Sequence, residues 1–135
     1  MNIRKAENKG FISICNLMKN ELGYPQLDVI EAAKRLEYFK NCVNHETFVV
    51  ITNDEVVGFI GVMKNVAYNL DGYYSQIMAL AVSANARRNG LGTALVKKVE
   101  EWSLLFGIDG VGINSGLQRV DAHKFYEANG YKEHE

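Results

Sequence analysis

Apolar positions recur with a helical period near the start of the chain. Phe11, Ile14, Cys15, Met18 and Leu22 fall three or four residues apart and form one stripe. Leu22-Gly23-Tyr24-Pro25-Gln26 contains the single proline and reads as a turn. A second helix is predicted from about Asp28, whose carboxylate suits an N-cap, through Ala33, Leu36 and Phe39. The period then shortens. Residues 47–52 are β-branched and strand-like, Asn53-Asp54-Glu55 supplies a turn, and 56–63 form the second arm of a predicted hairpin.

Residues 65–72 read as a polar loop, and 74–82 as a third strand apolar enough to lie centrally in a sheet. Leu91, Leu95, Val99, Trp102 and Phe106 return to helical spacing, with Gly107 placed to end the helix. Residues 111–114 predict a short strand, 118–129 a last helix, and 131–135 the start of one more strand. Residues 2–6 suit a short edge strand. The order β-α-α-β-β-β-α-β-α-β mixes hairpins with helical crossovers. It predicts an α/β fold of α+β type, a mixed sheet with helices on both faces.

Composition narrows the function classes. A chain of 135 residues predicts one domain over 1–135. Hydrophobic content of 47% with 23% charged residues is an ordinary globular balance and argues against disorder. A net charge of −1 gives no global footprint for nucleic acid or an anionic membrane. No apolar run reaches the roughly 18 residues of a membrane span, and the first residues lack a signal peptide's apolar stretch. A cytoplasmic protein is expected. Cys15 and Cys42 form no CxxC pair and are expected as free thiols. His45 and His134 have no partners at metal spacing, so no metal is expected.

The most chemical segment is Arg87-x-x-Gly90-x-Gly92-Thr93, between a predicted strand and a predicted helix. Glycine there permits positive φ and close approach of a ligand to the main chain. The first helical turn offers free N–H groups and the positive end of the helix dipole, which suit a pyrophosphate. Arg87 and Arg88 add mobile positive charge. Read alone, the same segment is also an ordinary tight turn with solvated arginines. A Walker loop is absent, and Leu95 stands where a dinucleotide fingerprint needs its third glycine. Gly110-Val111-Gly112 fails likewise, with Ser115 at the third position.

Leu80-Ala81-Val82 followed by Arg87-Arg88-Asn89-Gly90-Leu91-Gly92 and an amphipathic helix resembles motif A of the GCN5-related N-acetyltransferases, Q/R-x-x-G-x-G/A. Ala122-His123-Lys124-Phe125-Tyr126-Glu127-Ala128-Asn129-Gly130-Tyr131 is similar to that family's A-x-x-F-Y-x-x-x-G-F/Y segment. Glu21-Leu22-Gly23-Tyr24-Pro25 is similar to the loop that small bacterial members place between their first two helices. The resemblance spans nearly the whole chain.

It implies acetyl-CoA as cosubstrate and an acetyl transfer to the primary amine of a small molecule or peptide, by direct attack in a ternary complex. Backbone N–H groups of Arg88, Asn89, Gly90, Leu91, Gly92 and Thr93 then hold the pyrophosphate beside Arg87. Leu80, Ala81 and Val82 pair with the pantetheine arm, and an N–H near Leu80 or Ala81 polarises the thioester carbonyl. Tyr126 takes the general-acid position, and Asn114 contacts the CoA arm, with Ser115 a weaker candidate. Outside the resemblance, Tyr126 reads as a core aromatic and Asn114 as a strand-ending turn residue. His123 is read as structural.

The family's strand glutamate is missing, since Gln76 stands among apolar neighbours. Glu21, Asp28, Glu46 and Asp71 are the candidate bases by position, with ordered water as the alternative. The acceptor is expected between Leu22-Gly23-Tyr24 and the loop before Tyr74. The chain also ends before the family's usual last strand, which leaves a sheet edge and invites a homodimer. A non-catalytic acyl-CoA-binding or sensor module is the competing reading. A longer donor such as succinyl-CoA is left open by the small side chains of Ala79 and Ala81.

Overall fold

The computed structural model describes residues 2–66, 73–108 and 111–113. Strands β1 (Asn2–Lys5), β2 (His45–Thr52), β3 (Glu55–Val66), β4 (Tyr73–Val82) and β5 (Val111–Ile113) form one sheet in that order. The first three pairings are antiparallel, and β4 with β5 is parallel. Helices α1 (Phe11–Glu21) and α2 (Val29–Lys40) precede β2, and α3 (Leu91–Leu104) links β4 to β5. The predicted elements after residue 113, and the segment 67–72, lie outside the described residues.

Local signals act where the sequence places them. The Asp28 carboxylate accepts from the N–H groups of Ile30 and Glu31 at 3.0 and 3.2 Å and caps α2. Asn53 and Asp54 take φ of 53° and 64°, and Thr52 pairs with Glu55 across this two-residue turn. Such turns match the twist of the strands that they join.

Both arms of the next hairpin outrun their apolar patterns. β3 continues to Val66, which pairs with Tyr73, so Asn65 belongs to a strand and not to the expected loop. Polar residues continue the ladder because their side chains find cross-strand partners. Asn65 Nδ2 donates to Gln76 Oε1 at 3.0 Å, and the Lys64 ammonium sits over the rings of Tyr73 and Phe106. Phe106 falls beyond the end of α3 and is half exposed, not part of the helix face, although it meets Trp102 edge-on at 5.0 Å.

Helices cover both faces, as the consecutive apolar residues of β2 require. Phe48 and Val50 turn to α3, where they join Ile60, Val62, Leu95 and Val99. Val49 turns the other way and joins Phe59, Ile14, Cys15, Ala32 and Leu36 beneath α1 and α2.

β4 is irregular at one position. Gly61 pairs with Ala79 and Val62 with Ile77, so Met78 is an extra residue, a β-bulge. It reverses the alternation of the strand. Before it, Ser75 and Ile77 face α3, with the two hydroxyls of Ser75 and Ser103 joined at 2.6 Å. After it, Leu80 and Val82 face α3, while Ala79 and Ala81 join the cluster under α1 and α2.

Candidate active site

The glycine loop stands at the C-terminal end of β4. The chain passes from Leu80, Ala81 and Val82 through a 3-10 turn at Ala84–Ala86 to Arg87. Arg88 then takes φ of 70° and Gly90, the N-cap of α3, φ of 74°. A left-handed arginine is strained, and residues in this conformation cluster at ligand sites. No side chain caps α3. Its first amides therefore lack intrahelical partners, and the buried Leu91 side chain fixes their direction. Gly92 and Thr93 complete that first turn. A Cβ on Gly90 would meet nothing within 4 Å, so the approach is open. Oriented amides around left-handed residues make an anion cradle, and this one fits a pyrophosphate.

Arg87 is not free, as the loop alone suggests. Its Nη2 donates to Glu21 Oε1 at 2.5 Å and its Nε to the Val82 carbonyl at 3.4 Å. Glu21 Oε2 accepts from the Ala84 N–H at 3.2 Å. One carboxylate at the end of α1 thus ties down the corner that precedes the cradle. The other candidate bases are also engaged. Asp28 caps α2, and Glu46 pairs with Lys5 at 3.1 Å. Asp71, Asn114, Ser115, His123 and Tyr126 lie outside the described residues.

The β4–β5 ladder covers Ser75, Gln76 and Ile77. Among the described residues, the bulge and the strand end after it have no partner on that side.

On the opposite face, α1, α2 and the sheet enclose a cavity of about 290 Å³. Its floor crosses three strands in one row, from Thr47 through Gly61 to Ala79, and reaches Met78 at the bulge. Ala32, Arg35, Leu36 and Phe39 of α2 form a wall, and Tyr24, of the turn expected on one side of the acceptor, also lines it.

Sequence reasoning named neither Arg35 nor His45 as a residue of this cavity. His45 is 8% exposed and stacks on Phe39 with ring centroids 4.2 Å apart. Its Nδ1 has no partner among the described residues. Burial pushes its pKa down, with Glu46 opposing, so the ring is neutral near pH 7. Metal spacing was the wrong test for it. The useful signal was its position at the start of a strand whose alternate residues turn inward. No group of metal-ligating side chains occurs among the described residues.

An anion cradle at a helix start and a cavity that meets the preceding strand from the other face suit an acyl-CoA-dependent transferase. Residues 12–131 match the model of the acetyltransferase (GNAT) family. The chain belongs to this family and is an N-acetyltransferase whose donor is acetyl-CoA. It is 30% identical to the aminoalkylphosphonate N-acetyltransferase of Salmonella typhimurium over 89% of this chain and 75% of that protein. A transcriptional regulator from Bacillus halodurans shares its fold with a TM-score of 0.90 at 24% identity, over 99% of this chain and 95% of that one. An aminoglycoside N-acetyltransferase, AAC(6')-Iy, in complex with CoA superposes with a TM-score of 0.86 at 16% identity, over 99% and 89% of the two chains. Among the described residues, no helix is long and apolar enough to cross a membrane.

Proposed function

We propose that the enzyme acetylates a primary amine of a small molecule or peptide by direct attack within a ternary complex. The observation that carries this reading is the meeting of two approaches at one bulge. The cavity reaches Met78 and Ala79 from the α1 and α2 side, and the glycine cradle lies at the end of the same strand. Holding the reactants at one point removes most of the entropic barrier to a bimolecular step.

Acetyl-CoA, when bound, supplies an acyl group activated as a thioester. The amides from Arg88 to Thr93 hold its pyrophosphate, and Leu80, Ala81 and Val82 bind the arm with main-chain hydrogen bonds. An N–H near Leu80 or Ala81 faces the reacting carbonyl. Asn114 contacts the arm. Tyr126 keeps a proton at its phenolic oxygen for the departing sulfur. The state of Cys15 supports direct transfer over an acyl-enzyme. That thiol is buried and its pKa is pushed up by burial, which leaves it protonated and unreactive. No carboxylate among the described residues lines the cavity, so the ammonium loses its proton to water at the open rim.

Tyr126→Phe is the test. Turnover should fall by about a hundredfold or more while acetyl-CoA still binds in calorimetry. Unchanged turnover removes the tyrosine from the mechanism. In the same reading residues 1–135 are one domain, and two copies pair as a homodimer. A monomer mass across a wide concentration range in light scattering counts against that pairing.

The Salmonella relative's name describes an acceptor that bears an acid group, whereas the name AAC(6')-Iy belongs with aminoglycosides. The two differ in the charge that an acceptor site must meet.

A further inference from the structure

We infer that the cavity beneath α2 takes a compact amine that carries an oxyacid group on a short apolar spacer, with Arg35 as the partner of that acid group. This rests on the acetyltransferase reading of the site and narrows its acceptor.

The charge of the lining decides the class. Among the described residues, no aspartate or glutamate lines the cavity, and Arg35 is the one arginine or lysine that does. Among the described residues Arg35 has no carboxylate within ion-pair distance, unlike Arg87, Lys5 or Lys34. Arg35 is exposed to solvent on α2, and its charge lies near enough to the Cys15 thiol to oppose the rise that burial imposes there. A cation lining an apolar cavity without a counter-ion favours an anion and repels a polycation. A polyamine or an aminoglycoside requires the opposite lining.

Polar groups are few and sit at one end. His45 and Thr47 lie on β2, and Arg35 extends from the helix above the same floor. The unpartnered Nδ1 of the buried His45 leaves a hydrogen-bonding position open in an otherwise apolar wall. A buried polar atom without a partner is costly, and a ligand oxygen or N–H removes that cost. The other end, at Met78 and Ala79, is apolar and meets the reacting strand. β2 and β4 are two strand spacings apart, about 10 Å. Side chains at both ends shorten that span, so the amine and the acid are joined by only a few carbons. A cavity of about 290 Å³ holds a molecule of this size.

The test pairs acceptors of equal length and opposite end groups. Thiol release from acetyl-CoA is followed with β-alanine and taurine, with the neutral propylamine, and with the dication putrescine. Binding of the same four to the CoA-loaded protein is measured by calorimetry, so that affinity is read without turnover. Acid-bearing amines should bind and react at least roughly tenfold better than propylamine. Arg35→Met should raise their KM about ten- to a hundredfold, raise that of propylamine far less, and be partly rescued by Arg35→Lys. Preference for propylamine or putrescine overturns the inference and leaves the acetyltransferase reading intact. Arg35-dependent binding of the acid amines without acetylation upholds the charge assignment and removes the catalytic reading of this site. No binding by either acid amine overturns the inference.

Discussion

Arg87 and Glu21 meet at 2.5 Å although 66 residues separate them. The pair joins the end of α1, beside the acceptor-side turn, to the corner where β4 becomes the glycine loop. Through the Ala84 N–H the same carboxylate also holds that corner's backbone. Glu21 is mostly buried and Arg87 about half exposed, so water weakens the pair without abolishing it. Glu21, one of the four carboxylates expected as candidate bases, is paired here as a strut beside the glycine loop.

Glu21→Gln should therefore act on cofactor binding more than on stability. The KM for acetyl-CoA is expected to rise a few-fold, with a stability loss of no more than about 1 kcal/mol. A double-mutant cycle with Arg87→Ala should give a coupling of the same small size that shrinks in high salt. If kcat alone collapses and KM stays constant, Glu21 acts on the amine and the strut is the wrong account.

Gly90→Ala tests the cradle. The left-handed φ of 74° costs an L-residue roughly 1 kcal/mol, while the added methyl meets no protein atom. Stability should fall by about that amount, and acetyl-CoA affinity should fall further because the methyl points into the open approach. Equilibrium denaturation with and without CoA separates the two effects.

Gly58 is needed for a different reason. A Cβ there would lie 2.8 Å from Val50 Cγ1 and 3.2 Å from the Ala81 carbonyl oxygen. The backbone cannot yield as a side-chain tip does, so Gly58→Ala should cost about 1–3 kcal/mol in urea denaturation. Gly61→Ala has its nearest contact at 3.8 Å, to the His45 ring, and should be tolerated.

Stability should carry a signature of His45. Its pKa is held below the ordinary 6.5 in the fold, so the unfolded chain binds this proton more readily. That share of stability is complete above about pH 6.5 and is lost as pH falls from there through the lower folded value. Melting temperatures measured from about pH 8 to about pH 5 should drop less steeply for His45→Gln than for the unaltered protein. Parallel profiles would show that the ring's burial carries no protonation cost.

Features encoded within a few residues were legible from the chain. The Asp28 cap, the Asn53-Asp54 turn and the stripes of α1 and α3 follow from spacing alone, because their partners lie within one or two turns. The extent of β3 was not. Lys64 and Asn65 look like loop residues until Tyr73, Phe106 and Gln76 are seen opposite them. The Met78 bulge was equally hidden, since Met78 differs little from its apolar neighbours and only the register with Gly61 and Val62 identifies it.

The sequence by itself determined the order of the described elements, the covering of the sheet on both faces and the glycine loop at a helix start. These depend on periodicity and on backbone preferences, which are properties of short segments. Tertiary structure alone decided the chemistry around them. It engaged Glu21, Asp28 and Glu46 with other partners, stacked His45 on Phe39, and placed Arg35 beside an apolar cavity with no carboxylate partner among the described residues. Whether a charged or titratable side chain is free or paired depends on residues far along the chain, and three-dimensional packing alone brings those together.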